Sequence, residues 1–233
     1  KICVFAASSR TIDCSYVDEA FALGAELAGR GHSIVFGGGT SGLMGAVARG
    51  AFSAGGGIIG VAPRFFDEPG ILYEHCTEML FTETMSERKK LMEDLSDAFI
   101  TLPGGIGTFE EFFEALTLKQ LGRHAKAMAV INTNGYYDSM EAMLRRAVDE
   151  RFFSEEGHAL YAMHAAFKFQ PAVGPLAGDG KTDFLIAPQL SFVGVDDLHL
   201  NPLDSAYMVY IRYREPANSA DSSPPAPPRQ GLL

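Results

Sequence analysis

Two glycine-rich stretches are the most distinctive chemical feature of this sequence. Residues 37–42 read Gly-Gly-Gly-Thr-Ser-Gly, and residues 103–108 read Pro-Gly-Gly-Ile-Gly-Thr. Glycine lacks a Cβ, so backbone N–H groups in such turns can approach an anion, and a following helix adds partial positive charge. The sequence therefore predicts two cradles for a ligand that carries a phosphate. Their expected contact residues are Gly38, Gly39, Thr40, Gly104, Gly105, Ile106, Gly107 and Thr108.

Two common nucleotide motifs do not fit these stretches. No lysine follows either glycine run, which argues against a P-loop that hydrolyses nucleoside triphosphates. The pattern G-x-G-x-x-G with a downstream ribose-binding carboxylate is also missing from the expected context. The alternative, that the glycines only make tight turns between strands and helices, accounts for one cluster better than for two.

Glu111, three residues after Thr108, has two interpretations. Thr108 and Glu111 have the spacing of a helix capping box, in which both side chains would only satisfy backbone groups. Alternatively, Glu111 faces a packed or concave surface together with Ala115 and Leu118, away from the phenylalanine stripe of the same helix. A carboxylate held beside a phosphate site is suited to general-base chemistry or to stabilising positive charge.

Arg88 lies on the apolar side of a predicted helix. Its spacing to Leu91, Met92 and Leu95 is i, i+3, i+4 and i+7, which places these side chains on one face. An arginine in that position must extend to solvent or bind an anion. Lys89 and Lys90 point to other sides of the helix, and Lys90 is expected to be solvated.

These motifs together resemble the LOG family, the cytokinin riboside 5′-monophosphate phosphoribohydrolases, which are often labelled lysine decarboxylases. The resemblance rests on Pro-Gly-Gly-Ile-Gly-Thr-Phe-Glu-Glu at 103–111, on Arg88-Lys89, and on the stretch at 37–45. It extends over about residues 2–161, and the segments 135–139 and 152–154 also match. It implies a modified Rossmann fold, a homodimer, and hydrolysis of the N-glycosidic bond of N6-substituted AMP to free base and ribose 5-phosphate.

The resemblance also implies roles for individual residues. The essential arginine and glutamate of the family correspond to Arg88 and Glu111, and an N-glycoside hydrolase needs such a carboxylate near an oxocarbenium-like centre. No metal or cofactor is implied. The implied substrate contacts, besides the second glycine cradle, are Glu68, Lys89, Glu110 and Thr117. Two alternatives remain open: a broader glycosidase for AMP and other nucleoside monophosphates, and a non-enzymatic carrier of a nucleotide or of molybdenum cofactor.

The elements that must position these residues alternate regularly along the chain. Short apolar runs predict strands at 2–7, 33–36, 58–62, 78–82, 98–102 and 127–132. Helical patterns occupy 43–54, 86–95, 108–121 and 137–151, and a helix is expected to open with a capping box formed by Ser15 and Asp18. Strands that alternate with helices predict an α/β fold, a doubly wound parallel sheet with helices on both faces.

The alternation ends near residue 169, which predicts three regions. Residues 1–169 are expected to form the nucleotide-binding catalytic domain, and residues 170–215 form an unassigned extension with candidate strands at 184–186, 190–195 and 207–213. Residues 216–233 are rich in proline and in small or polar residues, which predicts a disordered tail.

The net charge and the cysteines of the sequence limit its binding partners and its cellular compartment. The 233 residues carry a net charge of −10, which argues against nucleic acid or an anionic membrane as the main partner. No signal peptide is visible, and the three cysteines lack disulfide or zinc spacing, so a reducing, cytoplasmic location is expected.

Overall fold

The computed structural model describes residues 1–165 and two short strands at 190–191 and 209–210. Its main feature is a parallel sheet of seven strands in the order β4-β3-β2-β1-β5-β6-β7. This confirms the predicted fold class. The strands are β1 (Ile2–Phe5), β2 (Ile34–Phe36), β3 (Ile58–Pro63), β4 (Glu78–Thr82), β5 (Ala98–Thr101), β6 (Ala127–Ile131) and β7 (Ala162–His164).

Both faces of the sheet are buried, as the continuous apolar strands predict. In β1, Ile2 and Val4 belong to the core on one face, whereas Cys3 and Phe5 belong to the core on the other. Successive side chains of a strand point to opposite faces, so each short apolar run contributes to both cores. Burial of Cys3 raises the pKa of its thiol far above the usual range, so this cysteine is a structural one.

The helices divide between the two faces. Leu23 of α1 and Val47 of α2 pack in one core, and Met92 of α3, Phe112 of α4 and Leu144 of α5 pack in the other. None of the helices in the described part of the chain is both long and apolar enough to cross a membrane. The helices are α1 (Cys14–Gly29), α2 (Gly42–Ser53), α3 (Met85–Leu95), α4 (Ile106–Gln120), α5 (Asp138–Asp149) and the short α6 (Glu155–His158).

The predicted elements are present with small shifts at their ends, but the expected start of α1 is wrong. Asp13 caps this helix and accepts a hydrogen bond from the backbone N–H of Ser15 at 2.9 Å, so Ser15 lies inside the helix and forms no capping box with Asp18. A true capping box opens α3, where Thr84 and Glu87 satisfy each other's backbone N–H groups. The prediction also missed β7 and α6.

Two of the candidate C-terminal strands are confirmed in part. Strand β8 (Leu190–Ser191) pairs in parallel with β9 (Val209–Tyr210), and each lies within a predicted strand. The candidate strand at 184–186, the boundaries at 169 and 215, and the proline-rich segment 216–233 lie outside the described residues.

The strand order reverses between β1 and β5, which brings three loops together at the carboxyl ends of the strands. Ala7, after β1, donates its N–H to the carbonyl of Pro103 at 3.2 Å and accepts a hydrogen bond from the N–H of Met44 at 3.1 Å. The β1 loop therefore lies between the two glycine turns. Ligands of doubly wound sheets bind at this kind of reversal.

Candidate active site

Helix α4 begins earlier than the sequence predicts. Gly105 is its N-cap residue and Ile106 its first residue, so Thr108 is already inside the first turn and buried. The capping-box interpretation of Thr108 and Glu111 is therefore wrong. Thr108 instead packs against the turn: a Cβ added to Gly104 would lie 2.1 Å from its hydroxyl oxygen. Gly104 is required there for close packing.

Glu111 is paired with Arg88 across the gap between α3 and α4. Nη1 of Arg88 donates to Oε1 of Glu111 at 2.7 Å, and the exposed fractions of the two side chains are only 6% and 11%. Nε of Arg88 donates to the carbonyl of Val61 at the end of β3, at 3.1 Å. Arg88 is thus buried on the helix face that its spacing predicts. Its anionic partner is the carboxylate of Glu111.

Burial and the neighbouring guanidinium act on Glu111 in opposite directions. Desolvation raises the pKa of its carboxyl group, while the charge and the hydrogen bond of Arg88 lower it, and the net shift is upward from 4.5. A carboxylate with a raised pKa is a stronger base than an exposed one. Such perturbed acids are typical of catalytic sites.

The first glycine turn makes room for Arg88. A Cβ on Gly37 would lie 2.0 Å from Nη2 of Arg88, so only glycine permits the guanidinium to sit beside this backbone. Arg88 therefore contacts three elements at once: the carbonyl of Val61, the carboxylate of Glu111 and the backbone at Gly37. These contacts fix the guanidinium without any ligand.

The rest of the first turn differs from the cradle expected from the sequence. The N–H of Gly39 donates to the sulfur of Met44 at 3.3 Å, and that of Thr40 donates to the carbonyl of Ile71 at 3.0 Å. Gly38 has a φ of +77° and accepts a hydrogen bond from the N–H of Tyr73. The N–H groups of Gly39 and Thr40 are therefore already engaged, the first by Met44 and the second by the segment near residues 71–73, which pairs with this turn.

The second turn keeps its N–H groups open. Gly105, Ile106 and Gly107 are exposed, and among the described residues their N–H groups and that of Gly104 donate to no other group. The first N–H groups of a helix have no partner within it, and the helix dipole adds positive potential at this end. The second turn is thus suited to bind an anion one to two helical turns before Glu111.

Lys89 forms a second, more exposed contact between α3 and α4. Its ammonium group pairs with the carboxylates of Glu110 and Glu114. Burial lowers the pKa of Lys89, but the hydrogen bonds that its ammonium group donates to these carboxylates raise it, and the net shift is upward. Lys89 and Glu110 are therefore the sequence neighbours of Arg88 and Glu111, and they form an ion pair of their own.

Two predicted site residues lie apart from this cluster. Thr117 is exposed two turns further along α4, and its hydroxyl donates to the carbonyl of Phe113 at 2.7 Å. Glu68 is exposed in the segment after β3, where its backbone N–H donates to Phe66. Within the described residues, neither side chain contacts Arg88 or Glu111.

Sequence reasoning missed two residues that contact the second turn. The hydroxyl of Tyr136 donates to the carbonyl of Gly104 at 2.6 Å, and that of Tyr137 donates to the carbonyl of Leu102 at 2.8 Å. The available signal was the match of segment 135–139 to the family pattern, which carried no stated role.

In the part of the chain that is described, three or more His, Cys, Asp or Glu side chains do not gather into a metal site.

The sheet order and the site at its reversal define a Rossmann-like α/β protein. A solved molybdenum cofactor binding protein from Rippkaea orientalis shares this fold, with a TM-score of 0.53 and 19% identity over 71% of this chain and 89% of that chain. The model of the family described as "Possible lysine decarboxylase" matches residues 44–169.

Curated relatives give the family a more specific description. A cytokinin riboside 5′-monophosphate phosphoribohydrolase of Arabidopsis thaliana is 43% identical over 154 residues, 66% of this chain and 72% of that protein. A probable enzyme of the same description from Oryza sativa subsp. japonica is 42% identical over 154 residues, 66% of this chain and 73% of that protein. The chain therefore belongs to the LOG family, as its motifs indicate.

Proposed function

We propose that this protein hydrolyses the N-glycosidic bond of cytokinin riboside 5′-monophosphates, nucleotides with an N6-substituted adenine, to the free base and ribose 5-phosphate. The observation that carries the proposal is the buried ion pair of Arg88 and Glu111 beside the open amino end of α4. Its combination of a basic carboxylate with an anion-binding helix end matches the two needs of this reaction, and the relatives carry the corresponding name.

In the proposed reaction, Glu111 accepts a proton from a water molecule as the water oxygen attacks C1′ of the ribose. The bond between C1′ and the base nitrogen breaks, and its electron pair leaves with the base. The departing base takes up a proton from solvent, and Glu111 releases to solvent the proton that it accepted. Over the whole reaction, water supplies a hydroxyl group to the sugar and a hydrogen to the base. A carboxylate near C1′ also stabilises the positive charge that develops on the sugar.

Arg88 is proposed to orient Glu111 and the nucleotide, and the second glycine turn to hold the 5′-phosphate. The guanidinium stays protonated and keeps the adjacent carboxylate in one orientation through a charge-assisted hydrogen bond. Gly104, Gly105, Ile106, Gly107 and Thr108 surround the open N–H groups of this turn. Lys89, Glu110, Thr117 and Glu68 are proposed to contact the remainder of the nucleotide. The same is proposed for Gly38, Gly39 and Thr40, which follow Gly37 in the first turn.

The decisive experiment measures release of free base from isopentenyladenosine 5′-monophosphate and from AMP under identical conditions. We expect faster release from the isopentenyl nucleotide and none from the corresponding nucleoside, which lacks the phosphate. Equal rates for the two nucleotides would show a broader nucleotide glycosidase. Absence of base from both would overturn the enzymatic proposal.

The proposal includes a homodimer in the cytoplasm. Several large apolar side chains near the site are exposed in the described chain, among them Met85 at 40% and Ile106 at 81%, and a second copy would cover such groups. The cysteine pattern supports a reducing compartment, since Cys3, Cys14 and Cys76 are all free. Light scattering on the purified protein tests the dimer, and imaging of a fluorescent fusion tests the location.

A further inference from the structure

Hydrogen bonds to three consecutive carbonyl groups anchor the second glycine turn. Leu102 accepts a hydrogen bond from the hydroxyl of Tyr137, Pro103 from the N–H of Ala7, and Gly104 from the hydroxyl of Tyr136. Three consecutive carbonyls are thus bound by three donors from outside the turn. Two of the donors are adjacent tyrosines that follow β6.

This arrangement sets the direction of the neighbouring N–H groups. The peptide bond is planar and trans, so the carbonyl of one residue and the N–H of the next point in opposite directions. When Tyr136 holds the carbonyl of Gly104, the N–H of Gly105 is turned away from the tyrosine. Glycines have wide backbone freedom, and this turn would otherwise lose more entropy on binding a ligand.

The tyrosines are themselves fixed by their surroundings. Tyr137 is 1% exposed, and its N–H donates to the side-chain oxygen of Asn132 at 2.6 Å. Asn134, at a φ of +53°, donates from its side chain to the hydroxyl of Ser15 at the start of α1. The ring of Tyr136 meets that of Tyr16 edge-on at 6.2 Å. The segment after β6 is therefore anchored on α1 and positions both hydroxyls.

We propose that Tyr136 and Tyr137 are positioning residues, which orient the second glycine turn so that its N–H groups receive the 5′-phosphate. The inference rests on the proposed function for the identity of the ligand. The hydrogen bonds of the turn hold it in this orientation before any ligand is bound. The tyrosines act through the turn and need no contact with the substrate.

The test is Tyr136→Phe, which removes one hydroxyl and keeps the ring beside Tyr16. Tyr16→Phe is the matched control, because it removes a hydroxyl from the other ring of the same pair. Binding of ribose 5-phosphate and of ribose is measured by calorimetry, and KM and kcat are measured with isopentenyladenosine 5′-monophosphate. Because one neutral hydrogen bond is lost, we expect the affinity for ribose 5-phosphate to fall about 3- to 10-fold and KM to rise by a similar factor.

Selectivity for the phosphate separates positioning from a general loosening of the structure. In Tyr136→Phe, we expect the preference for ribose 5-phosphate over ribose to shrink while kcat and the melting temperature stay close to wild type. Tyr16→Phe should keep the full preference. An unchanged preference in Tyr136→Phe, or an equal loss in both variants, would overturn the proposal.

The wild-type measurements separate this inference from the proposed function. If the wild type releases no base yet prefers ribose 5-phosphate, the enzymatic proposal fails and the Tyr136→Phe comparison still decides the role of the tyrosine. If the wild type binds ribose 5-phosphate no better than ribose, the turn does not receive a phosphate and the inference fails. Tyr137→Phe is the riskier variant, because it leaves the carbonyl of Leu102 buried without a partner.

Discussion

The two glycine turns at the carboxyl edge of the sheet differ in whether their N–H groups are already engaged within the protein. In the turn after β2, the N–H groups of Gly39 and Thr40 are engaged by Met44 and Ile71. In the turn after β5, the carbonyls of Leu102, Pro103 and Gly104 are engaged and the following N–H groups are open. The two glycine-rich sequences are similar, but only the turn after β5 leaves its N–H groups free to bind a ligand.

The difference shows that glycine serves two separate purposes in one site. In the first turn it permits close packing: Gly37 faces Arg88, and a Cβ on Gly42 would lie 2.5 Å from the carbonyl oxygen of Ala7. In the second turn, Gly104 also packs closely against Thr108, but a Cβ on Gly105 would meet no atom within 4 Å, so the backbone at Gly105 is open to a ligand. The first turn places the cation of the site, and the second presents its hydrogen-bond donors.

The largest expected effect comes from Glu111→Gln, which keeps the shape of the side chain and removes its basicity. Loss of a general base typically lowers the rate about 10²- to 10⁴-fold, and we expect a fall of this size in kcat with little change in nucleotide affinity. Base release and AMP binding are measured side by side. Glu114→Gln, three residues further along α4 and exposed, is the control. Turnover retained by Glu111→Gln would refute the assigned role.

Arg88→Ala should have the next largest effect, on stability as well as on turnover. Removing one partner of a buried ion pair leaves the other charge uncompensated, which typically costs about 3–5 kcal/mol of unfolding free energy. The double variant Arg88→Met with Glu111→Leu should recover most of this loss in urea denaturation while remaining inactive. A single variant as stable as the wild type would show that the pair is far better solvated than its exposed fractions indicate.

Gly37→Ala and Gly105→Ala compare the two turns directly. The new methyl group at position 37 must displace the guanidinium of Arg88, and we expect kcat to fall at least about 10-fold, as small misplacements at catalytic groups do. At position 105 the methyl group meets open space, so unfolding free energy should change by less than about 1 kcal/mol and the kinetic effect should fall on KM. The opposite split between kcat and KM would reverse the roles assigned to the turns.

The sequence predicts most of the strands and helices in their chain order, because the strands are short apolar runs and the helices carry apolar residues at helical spacing. Leu91, Met92 and Leu95 mark the buried face of α3, and that pattern places Arg88 inward without any knowledge of its partner. The apolar run before each glycine turn likewise locates the ends of β2 and β5. Local sequence patterns thus account for the alternation of strands and helices and for the α/β fold class.

What sequence reasoning misses depends on contacts between distant segments. The segment near Ile71 has no helical or strand pattern, so its pairing with the first turn, which occupies the N–H group of Thr40, leaves no local signal. The cap of α1 was misplaced because Asp13 and Ser15 are both good N-cap residues and the spacing alone favours the wrong one. The register of β2 on β3, with Phe36 opposite Gly60, brings Gly37 near Val61 and Arg88, and it cannot be derived from either strand alone.

The smallest expected effect is a shift in the pH profile of kcat/KM. Because burial raises the pKa of Glu111 above 4.5, the carboxylate is protonated at a higher pH than an exposed glutamate, and activity should be lost as the pH falls through that raised pKa. The charge of Glu110 raises this pKa and that of Lys89 lowers it. Glu110→Gln should therefore move the acid limb to lower pH, and Lys89→Ala should move it to higher pH, each by less than about one unit for partly solvated neighbours. Movement of the limb in the same direction in both variants would mean that a group other than Glu111 controls it.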